Sequence, residues 1–261
     1  MAEQVAGKGD PIKILELMWA GAPVPKRGPR AKASVHDIVS AAIHIADAEG
    51  LDAVTTRKVA DRLGISPMSF YTHVPGKAEL LDLMLDAVAG EGMVHERPDF
   101  RPEDWRKNLT MIARSLWSFY LRHPWVLELA THRPVLGPNT MRAADTALTA
   151  LDGIGLDDLE MDRVFNLIAS YVAGAVRDAA REKTVNQQTG MTDNEWWRCV
   201  EPYLNTLDFT PYPVLARVGA KTGETYGAHD PQGAFNFGLD RVLDGLALFI
   251  EPKRKALQEG A

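Results

Sequence analysis

Cationic and hydroxyl side chains gather between Thr55 and Lys77, and they are suited to binding phosphate. This window holds four cations and one acid, although the chain of 261 residues has a formal net charge of −6: Arg57, Lys58, Arg62 and Lys77 against Asp61. A small positive face on an acidic body is typical of a protein that binds an anionic polymer at one place only. Thr56, Arg57 and Lys77 also stand at predicted helix starts, where free N–H groups and the helix dipole favour anions.

A tight turn, Gly64-Ile65-Ser66, joins two short predicted helices in this window. Ala60 is small where the helices approach, and Gly64 tolerates the positive φ that such a turn uses. Ser66 is a favoured N-cap and Pro67 a favoured first helical residue, so a new helix is predicted to begin there. The arrangement is typical of a helix-turn-helix, whose second helix enters the major groove of DNA.

The stretch VTTRKVADRLGISPMSFYTHVPGKAELLDLML, at 54–85, resembles the DNA-binding domain of the TetR family of bacterial transcriptional repressors. The likeness covers about residues 32–90 and includes the Thr-Thr-Arg-Lys entry, the Leu-Gly of the turn and the Gly-Lys before the next helix. The resemblance implies that two sets of side chains contact DNA. The phosphate contacts would come from Thr56, Arg57, Tyr71, His73 and Lys77. The base contacts would come from Pro67, Met68, Ser69 and Thr72.

Some of these positions have an alternative role. Tyr71 and His73 would also serve as half-buried packing residues, because the neighbouring Val74 belongs to the predicted core. Met68 is an unusual base reader, and an apolar contact with thymine methyl groups suits it best. The basic arm at 26–32 either enters the minor groove or is a solvated linker, and the sequence does not decide between them.

Helical patterns run from Ser34 onward and position this interface. Ser34 and Asp37 have the spacing of a capping box, and a helix over 77–88 is predicted to link the DNA-binding part to the rest. Further helical segments are predicted at 103–122, 139–151, 157–183, 193–207 and 234–250. The segment 206–233 is predicted to be a loop with one turn of helix at 213–219. The sequence therefore predicts an all-α fold: an N-terminal three-helix helix-turn-helix domain, a linking helix and a larger helical domain.

The C-terminal part resembles the corresponding domain of tetracycline repressors, which belong to the same family. The motifs HRP at 132–134, SYVAG at 170–174 and GAFNFGL at 233–239 carry this likeness. It implies a homodimer in which helices near 157–183 and 234–250 pair between subunits. It also implies a pocket for a small effector. The domains expected on this basis are a flexible extension with a basic arm at 1–31, a DNA-binding domain at 32–90 and a ligand-binding and dimerisation domain at 91–261.

The implied pocket departs from that of the tetracycline repressors. Leu129 falls where they carry a metal-binding histidine, Ile112 replaces a polar residue that holds the drug, and Leu116 replaces an aromatic residue. Because carbon side chains do not ligate Mg²⁺, we expect a lipophilic effector and neither a metal nor a cofactor. The candidate lining is Ile112, Leu116, Trp117, Leu129, His132, Arg133, Met141 and Phe165. As alternatives, the tryptophan would be ordinary core and Arg133 would pair with a carboxylate.

Other classes of protein have little support in the sequence. No catalytic motif with the spacing of a hydrolase, a zinc protease or a phosphate-binding loop is present, so we do not expect an enzyme. No apolar run approaches the about 18 residues of a membrane span, and no secretory signal is visible. The single cysteine, Cys199, cannot form an internal disulfide, and we expect it to be an inert packing thiol in a cytoplasmic protein.

The favoured interpretation is a homodimeric repressor that binds a palindromic DNA operator and is released by a small effector. Two alternatives stay open. One is a DNA-binding activator or architectural protein that needs no small molecule. The other is a helical enzyme with an attached DNA-binding domain. The sequence names neither the operator nor the effector, and it does not say whether the effector releases DNA or favours its binding.

Overall fold

A computed structural model describes residues 10–19, 33–92, 99–129 and 133–259. The basic arm at 26–32 and His132 lie outside this range. The described residues form twelve α-helices and three short 3₁₀ turns, with no strand, which confirms the predicted all-α fold. The helices are α1 (Pro11–Trp19), α2 (Val35–Glu49), α3 (Thr56–Leu63), α4 (Pro67–Tyr71), α5 (Lys77–Gly92), α6 (Trp105–Arg122), α7 (Pro138–Thr149), α8 (Asp158–Ala175), α9 (Arg177–Thr189), α10 (Asp193–Leu204), α11 (Pro213–Tyr226) and α12 (Pro231–Glu259).

Helices α2, α3 and α4 form the N-terminal head around one apolar core. Ser34 caps α2 as predicted: its hydroxyl accepts a hydrogen bond from the Asp37 N–H, and the Asp37 carboxylate accepts one from the Ser34 N–H. Ile38, Val59 and Phe70, one from each helix, are fully buried in the same cluster. Burying a side chain of this size contributes about 1.5–3 kcal/mol, so this contact fixes the relative placement of the three helices.

The linking helix α5 connects the head to the body and is packed on several sides, against α1, α2, α6 and α7. Its buried carboxylate Asp86 accepts hydrogen bonds from the backbone N–H groups of Asn139 (3.0 Å) and Thr140 (2.9 Å). These donors belong to the first turn of α7, where free N–H groups favour a negative charge. The contact joins α5 to α7, so that movement of one helix is transmitted to the other.

Helices α6, α8 and α12 pack together as the core of the body. Trp117 of α6 stacks on Phe235 of α12, with ring centroids 4.4 Å apart. One end of the bundle, where α6 and α8 begin, is held to α12 by polar contacts. The indole of Trp105 donates to Glu251 (2.8 Å), and the Lys253 ammonium donates to Glu160 (2.7 Å).

Two predicted segments differ from the structure. The single helix expected at 157–183 is divided at Val176 into α8 and α9. The loop expected at 206–233 contains a helix of fourteen residues, α11, rather than one turn. Glycine and threonine lower the helix propensity of this stretch, but Gly223 has a packing role: a Cβ there would lie 2.3 Å from the ring of Trp197. The packing of α11 on Trp197 of α10 therefore outweighs the low helix propensity of the local sequence. No helix in the described part of the chain is long and apolar enough to cross a membrane.

Candidate nucleic-acid interface

The turn between α3 and α4 is fixed by its backbone. Gly64 has φ 64° and ψ 32°, the left-handed conformation that glycine adopts without a steric penalty. The N–H of Ile65 then donates to the carbonyl of Ala60 (3.0 Å), which satisfies the end of α3. Ala60 is completely buried, as its predicted place between the helices requires. The two helices therefore meet through a turn of defined geometry.

Helix α4 presents its outer side to solvent. Ser66 caps it by accepting a hydrogen bond from the N–H of Ser69 (3.1 Å), and Pro67 is its first residue. Phe70 anchors the inner side, whereas Met68 on the outer side is 74% exposed. A large apolar side chain with this exposure in a short, well-anchored helix is available for a base contact.

The predicted base-facing residues lie together on this surface, but they are not equally free. Pro67, Met68 and Thr72 are exposed, and Ser69 is half-buried. The hydroxyl of Thr72 donates to the carbonyl of Ser69 (2.6 Å), so its hydrogen is used within the helix and its oxygen stays available as an acceptor. The surface is therefore mainly apolar, with few strong hydrogen-bond donors.

The predicted phosphate-binding residues lie at the start of α3, at the end of α4, just after α4 and at the start of α5. Thr56, at the start of α3, lies with its hydroxyl 3.4 Å from that of Tyr71, at the end of α4. The side chain of Arg57 is 87% exposed and lies 3.9 Å from Asp61, a loose pair that leaves the guanidinium accessible. His73 is half-buried beside the core residue Val74, so the structure is consistent with both roles considered for it.

Lys77 is the first residue of α5 and is half-buried. Burial lowers the pKa of its ammonium, and the nearby charge of Asp52 partly opposes this effect. Lys58, in contrast, is paired with Glu49 of α2 and is engaged within the head. The site therefore combines an exposed cation in α3 with a half-buried cation at the start of α5.

The residues predicted to line the effector pocket are divided among three places. Ile112 and Trp117 are buried in the body core, and Leu116 and Phe165 pack against the same core. Leu129 is buried in the other cluster, next to Trp125 and the head. Arg133 and Met141 are exposed, and Arg133 lines a separate cavity of about 300 Å³ together with Ile14 and Leu136. His132 lies outside the described residues.

Helix α1 (Pro11–Trp19) lies within the segment 1–31 that was expected to be a flexible extension, so that expectation is wrong for these nine residues. It packs on α5, and the indole of Trp19 donates to the carbonyl of Leu136 (2.9 Å). Its apolar residues Ile14 and Met18 thereby form one wall of the 300 Å³ cavity. The contact of Trp19 with Leu136 joins residues 117 positions apart, so no local pattern in the sequence indicates where this helix packs.

Two family models match the chain. The model of bacterial regulatory proteins of the tetR family matches residues 38–84, and that of the tetracyclin repressor-like C-terminal domain matches residues 97–250. The second match alone spans more than half of the chain. This protein belongs to the TetR family. The helix-turn-helix described above is thus the DNA-binding element of a TetR-family transcriptional regulator.

Curated relatives of this TetR-family chain extend over most of its length. The HTH-type transcriptional repressor DrrR1 of Streptomyces coeruleorubidus is 39% identical over 257 residues, which cover 96% of this chain and 91% of that protein. The tetracycline repressor protein class A from transposon 1721 of Escherichia coli is 28% identical, with coverage of 83% and 91%.

Solved structures share the fold. ActR from Streptomyces coelicolor without ligand is 26% identical and superposes with a TM-score of 0.64, covering 89% of this chain and all of that one. ActR in complex with actinorhodin is 29% identical, with a TM-score of 0.66 and coverage of 82% and 96%.

Proposed function

We propose that this TetR-family protein is a homodimeric repressor that binds a palindromic DNA operator and is released by a lipophilic effector without a metal. The observation that carries the proposal is the exposed outer surface of α4 with Met68 on it, together with the cations Arg57 of α3 and Lys77 of α5, which precede and follow α4 in the chain. Two such surfaces, related by a two-fold axis, would enter successive major grooves. Domain boundaries at 31/32 and 90/91 are part of the proposal.

The mainly apolar surface of α4 supports a division of roles between its residues and its flanks. Arg57, Lys77, Thr56 and Tyr71 would contact phosphates and supply most of the affinity. Met68 and Pro67 would meet thymine methyl groups, and Ser69 and Thr72 would contact base edges. Because this surface offers few strong donors, DNA shape and bridging water would contribute to the choice of sequence.

Uncovered apolar side chains on α8 and α12 support dimerisation through these helices. Phe237 and Leu248 of α12 are 66% and 82% exposed, and Leu159 and Leu167 of α8 are also exposed. Large apolar side chains left exposed on two helices that pack against each other are typical of an interaction site. A second copy of the same face would cover it, in agreement with the helices at 157–183 and 234–250 expected from the sequence.

The chemistry of the body supports a lipophilic effector. Ile112 in the body core and Leu129 in the cluster on the side of the head are buried carbon side chains that cannot hold Mg²⁺. Trp117, Leu116 and Phe165 offer aromatic and aliphatic surface in the body. A relative of this fold, ActR, has been crystallised with actinorhodin. Actinorhodin is therefore the first probe: it should release the operator equally well with and without EDTA. Release that requires Mg²⁺ would contradict the metal-free proposal.

The DNA-binding proposal is tested by selecting duplexes from a random pool with the full-length protein. We expect a palindromic site to emerge. Met68→Ala should then change the preference among selected sites, because it removes the apolar contact from α4. Met111→Ala, which truncates an exposed methionine on α6 of the body, is the matched control and should leave the preference unchanged. Failure to enrich any duplex would contradict the proposal.

A further inference from the structure

A buried histidine lies where the head, the linking helix and the body meet. His123 is 2% exposed. Its Nδ1 lies 2.8 Å from the carboxylate of Asp47 in α2, and its Nε2 lies 3.2 Å from the carboxylate of Glu91 in α5. The indole of Trp125, two residues further on, donates to the same Asp47 oxygen (2.7 Å). One side chain of the body therefore contacts both other parts of the molecule.

The chemistry of these contacts requires a proton. Carboxylates accept hydrogen bonds and do not donate them, so both contacts are hydrogen bonds only when both ring nitrogens carry hydrogen. That form of histidine is the imidazolium cation. In the neutral form, one ring nitrogen would turn its lone pair toward a carboxylate, which replaces an attraction by a repulsion.

The position of His123 in the fold favours the same charge. It follows the last residue of α6, and its N–H donates to the carbonyl of Phe119 (2.9 Å). The C-terminal end of a helix carries partial negative charge, which stabilises a cation. The ionisable groups in contact with it are Asp47 from α2 and Glu91 from α5.

Helix α9 packs against α6 and against the turn Pro124–Glu128 that follows His123, and it carries cations. The charge of Arg177 opposes the rise in pKa that burial causes in Tyr120. The charge of Arg181 has the same effect on the pKa of Glu128. The two ring nitrogens of His123 face the carboxylates of Asp47 and Glu91 instead. The negative groups therefore dominate the immediate surroundings of the ring.

We propose that His123 is a positioning residue that holds the DNA-binding head on the body in its protonated form, so that operator affinity falls as pH rises. The proposal rests on the DNA-binding function proposed above. Asp47 lies near the end of α2, which packs directly on the helix-turn-helix, so the contact sets the orientation of the head. In a dimer, that orientation decides whether both heads reach their grooves at once.

The contacts of His123 also join α6, which carries part of the proposed effector pocket, to the head. Ile112, Leu116 and Trp117 lie on α6, and Trp117 is six residues before His123, about 9 Å along the helix axis. A shift of α6 caused by a bound effector would therefore displace His123 from Asp47 or Glu91. The histidine would transmit both signals, pH and effector, through one pair of hydrogen bonds.

The test compares the wild type with His123→Gln on the selected operator and on its half-site, by fluorescence anisotropy from about pH 6 to about pH 8.5. We expect wild-type affinity for the full operator to fall by about tenfold more than that of the variant over this range. At the acid end the variant should bind the full operator more weakly than the wild type. Half-site affinity should be the same for both, because the head itself is unchanged.

Two controls separate this role from others. His44→Gln, an exposed histidine on α2, should follow the wild type at every pH. His73, on the proposed DNA interface, is present in all three proteins, so its contribution to binding is common to them. Parallel pH profiles for the wild type and His123→Gln would overturn the proposal. The proposal would also be overturned if His123→Gln lost the same factor in affinity for the full operator and for the half-site.

Further measurements cover the two ways in which this comparison would fail. If His123→Gln does not fold, Glu91→Gln replaces it, since this side chain is half-exposed and keeps an acceptor oxygen; it should flatten the pH profile, and a wild-type profile would overturn the proposal. If the wild type binds no duplex at any pH, the function proposed above is wrong. In that case the melting temperatures of the wild type and the variant are compared over the same pH range. A difference that becomes smaller as pH rises supports the protonated contact. A difference that does not change with pH overturns the proposal.

Discussion

The cations proposed to contact phosphate differ in how accessible their charged groups are. Arg57 is almost fully exposed, whereas Lys58 is paired with Glu49. Lys77 is intermediate in accessibility. It is half-buried at the start of α5, beside the free N–H groups of the first turn. A partly buried ammonium loses less freedom when it binds an anion, so Lys77 should contribute more than its exposure suggests.

Replacing Lys77 by alanine should weaken binding to every duplex and reduce the salt dependence of affinity. The slope of log affinity against log salt should become shallower by about 0.9 for each phosphate that the variant no longer neutralises. Fluorescence anisotropy on operator and random duplexes over a range of salt concentrations measures both effects. Lys107→Ala, an exposed lysine of α6, is the matched control. A change of sequence preference without a change of slope would mean that Lys77 contacts bases.

Single residues also show where sequence reasoning stops. The positions of Met68, Thr56 and Lys77 followed from motif and spacing, because the helix-turn-helix is a local structure. Leu129 was grouped with Ile112, yet it packs on the side of the head, since its neighbours in space come from distant parts of the chain. The partners of His123 lie 76 and 32 residues away, and no spacing rule connects them.

At the scale of the elements, capping residues explain why some boundaries were predictable. Ser34, Ser66 and Pro67 act on the residues next to them, so their effect is visible in the sequence. Helix α11 was predicted to be mostly loop because Gly219 and Gly223 lower its local propensity. The contact of Gly223 with Trp197 of α10 is a tertiary effect that no local rule contains.

The capping box of α2 should make head stability depend on pH. Hydrogen bonds from the hydroxyl and the backbone N–H of Ser34 hold the pKa of Asp37 below its usual value. A lowered pKa stabilises the folded state above the usual value, and this contribution is lost as pH falls through the lowered one. Ser34→Ala should therefore lower the melting temperature near neutral pH, and the difference from wild type should shrink in acid. Ser118→Ala, in the middle of α6, should show no such pH dependence.

The turn of the helix-turn-helix should depend on Gly64. Gly64→Ala places a Cβ in the left-handed conformation and should cost about 1–2 kcal/mol of unfolding free energy in urea denaturation. Gly219→Ala is the matched control, since Gly219 lies inside α11 with nothing within 4 Å of an added Cβ. There the same substitution should stabilise by about 0.5–1 kcal/mol. Equal effects at the two positions would contradict the assigned backbone strain.

At the scale of the whole molecule, the contacts form a continuous path from body to head. The body core holds α6 through Trp117 and Phe235, the end of α6 holds α2 and α5 through His123, and Asp86 of α5 holds α7. Each step in this path is a packed or hydrogen-bonded contact. A displacement within the body therefore has a physical route to the orientation of α3 and α4.

The path would act on a palindromic operator only if two heads are held at a fixed distance, which makes the proposed dimer face on α8 and α12 the decisive surface to test. Leu248→Glu places a charge at the most exposed large apolar side chain of α12. Burying an unpaired charge in an apolar contact is costly, so the variant should be monomeric at micromolar concentration. Its affinity for the palindromic operator should fall by at least about a hundredfold, because two linked half-sites gain that much over one.

Light scattering and anisotropy on the full operator and its half-site measure these two effects of Leu248→Glu. Half-site affinity should be retained, since the head is distant from α12 in the chain and has its own core. Ile12→Glu, which changes a similarly exposed apolar residue on α1, should remain dimeric. A Leu248→Glu protein that is still dimeric and still binds the operator would move the interface to another face. The exposed apolar residues of α10 and α11, Trp196 and Leu215 among them, would then be the next surface to change.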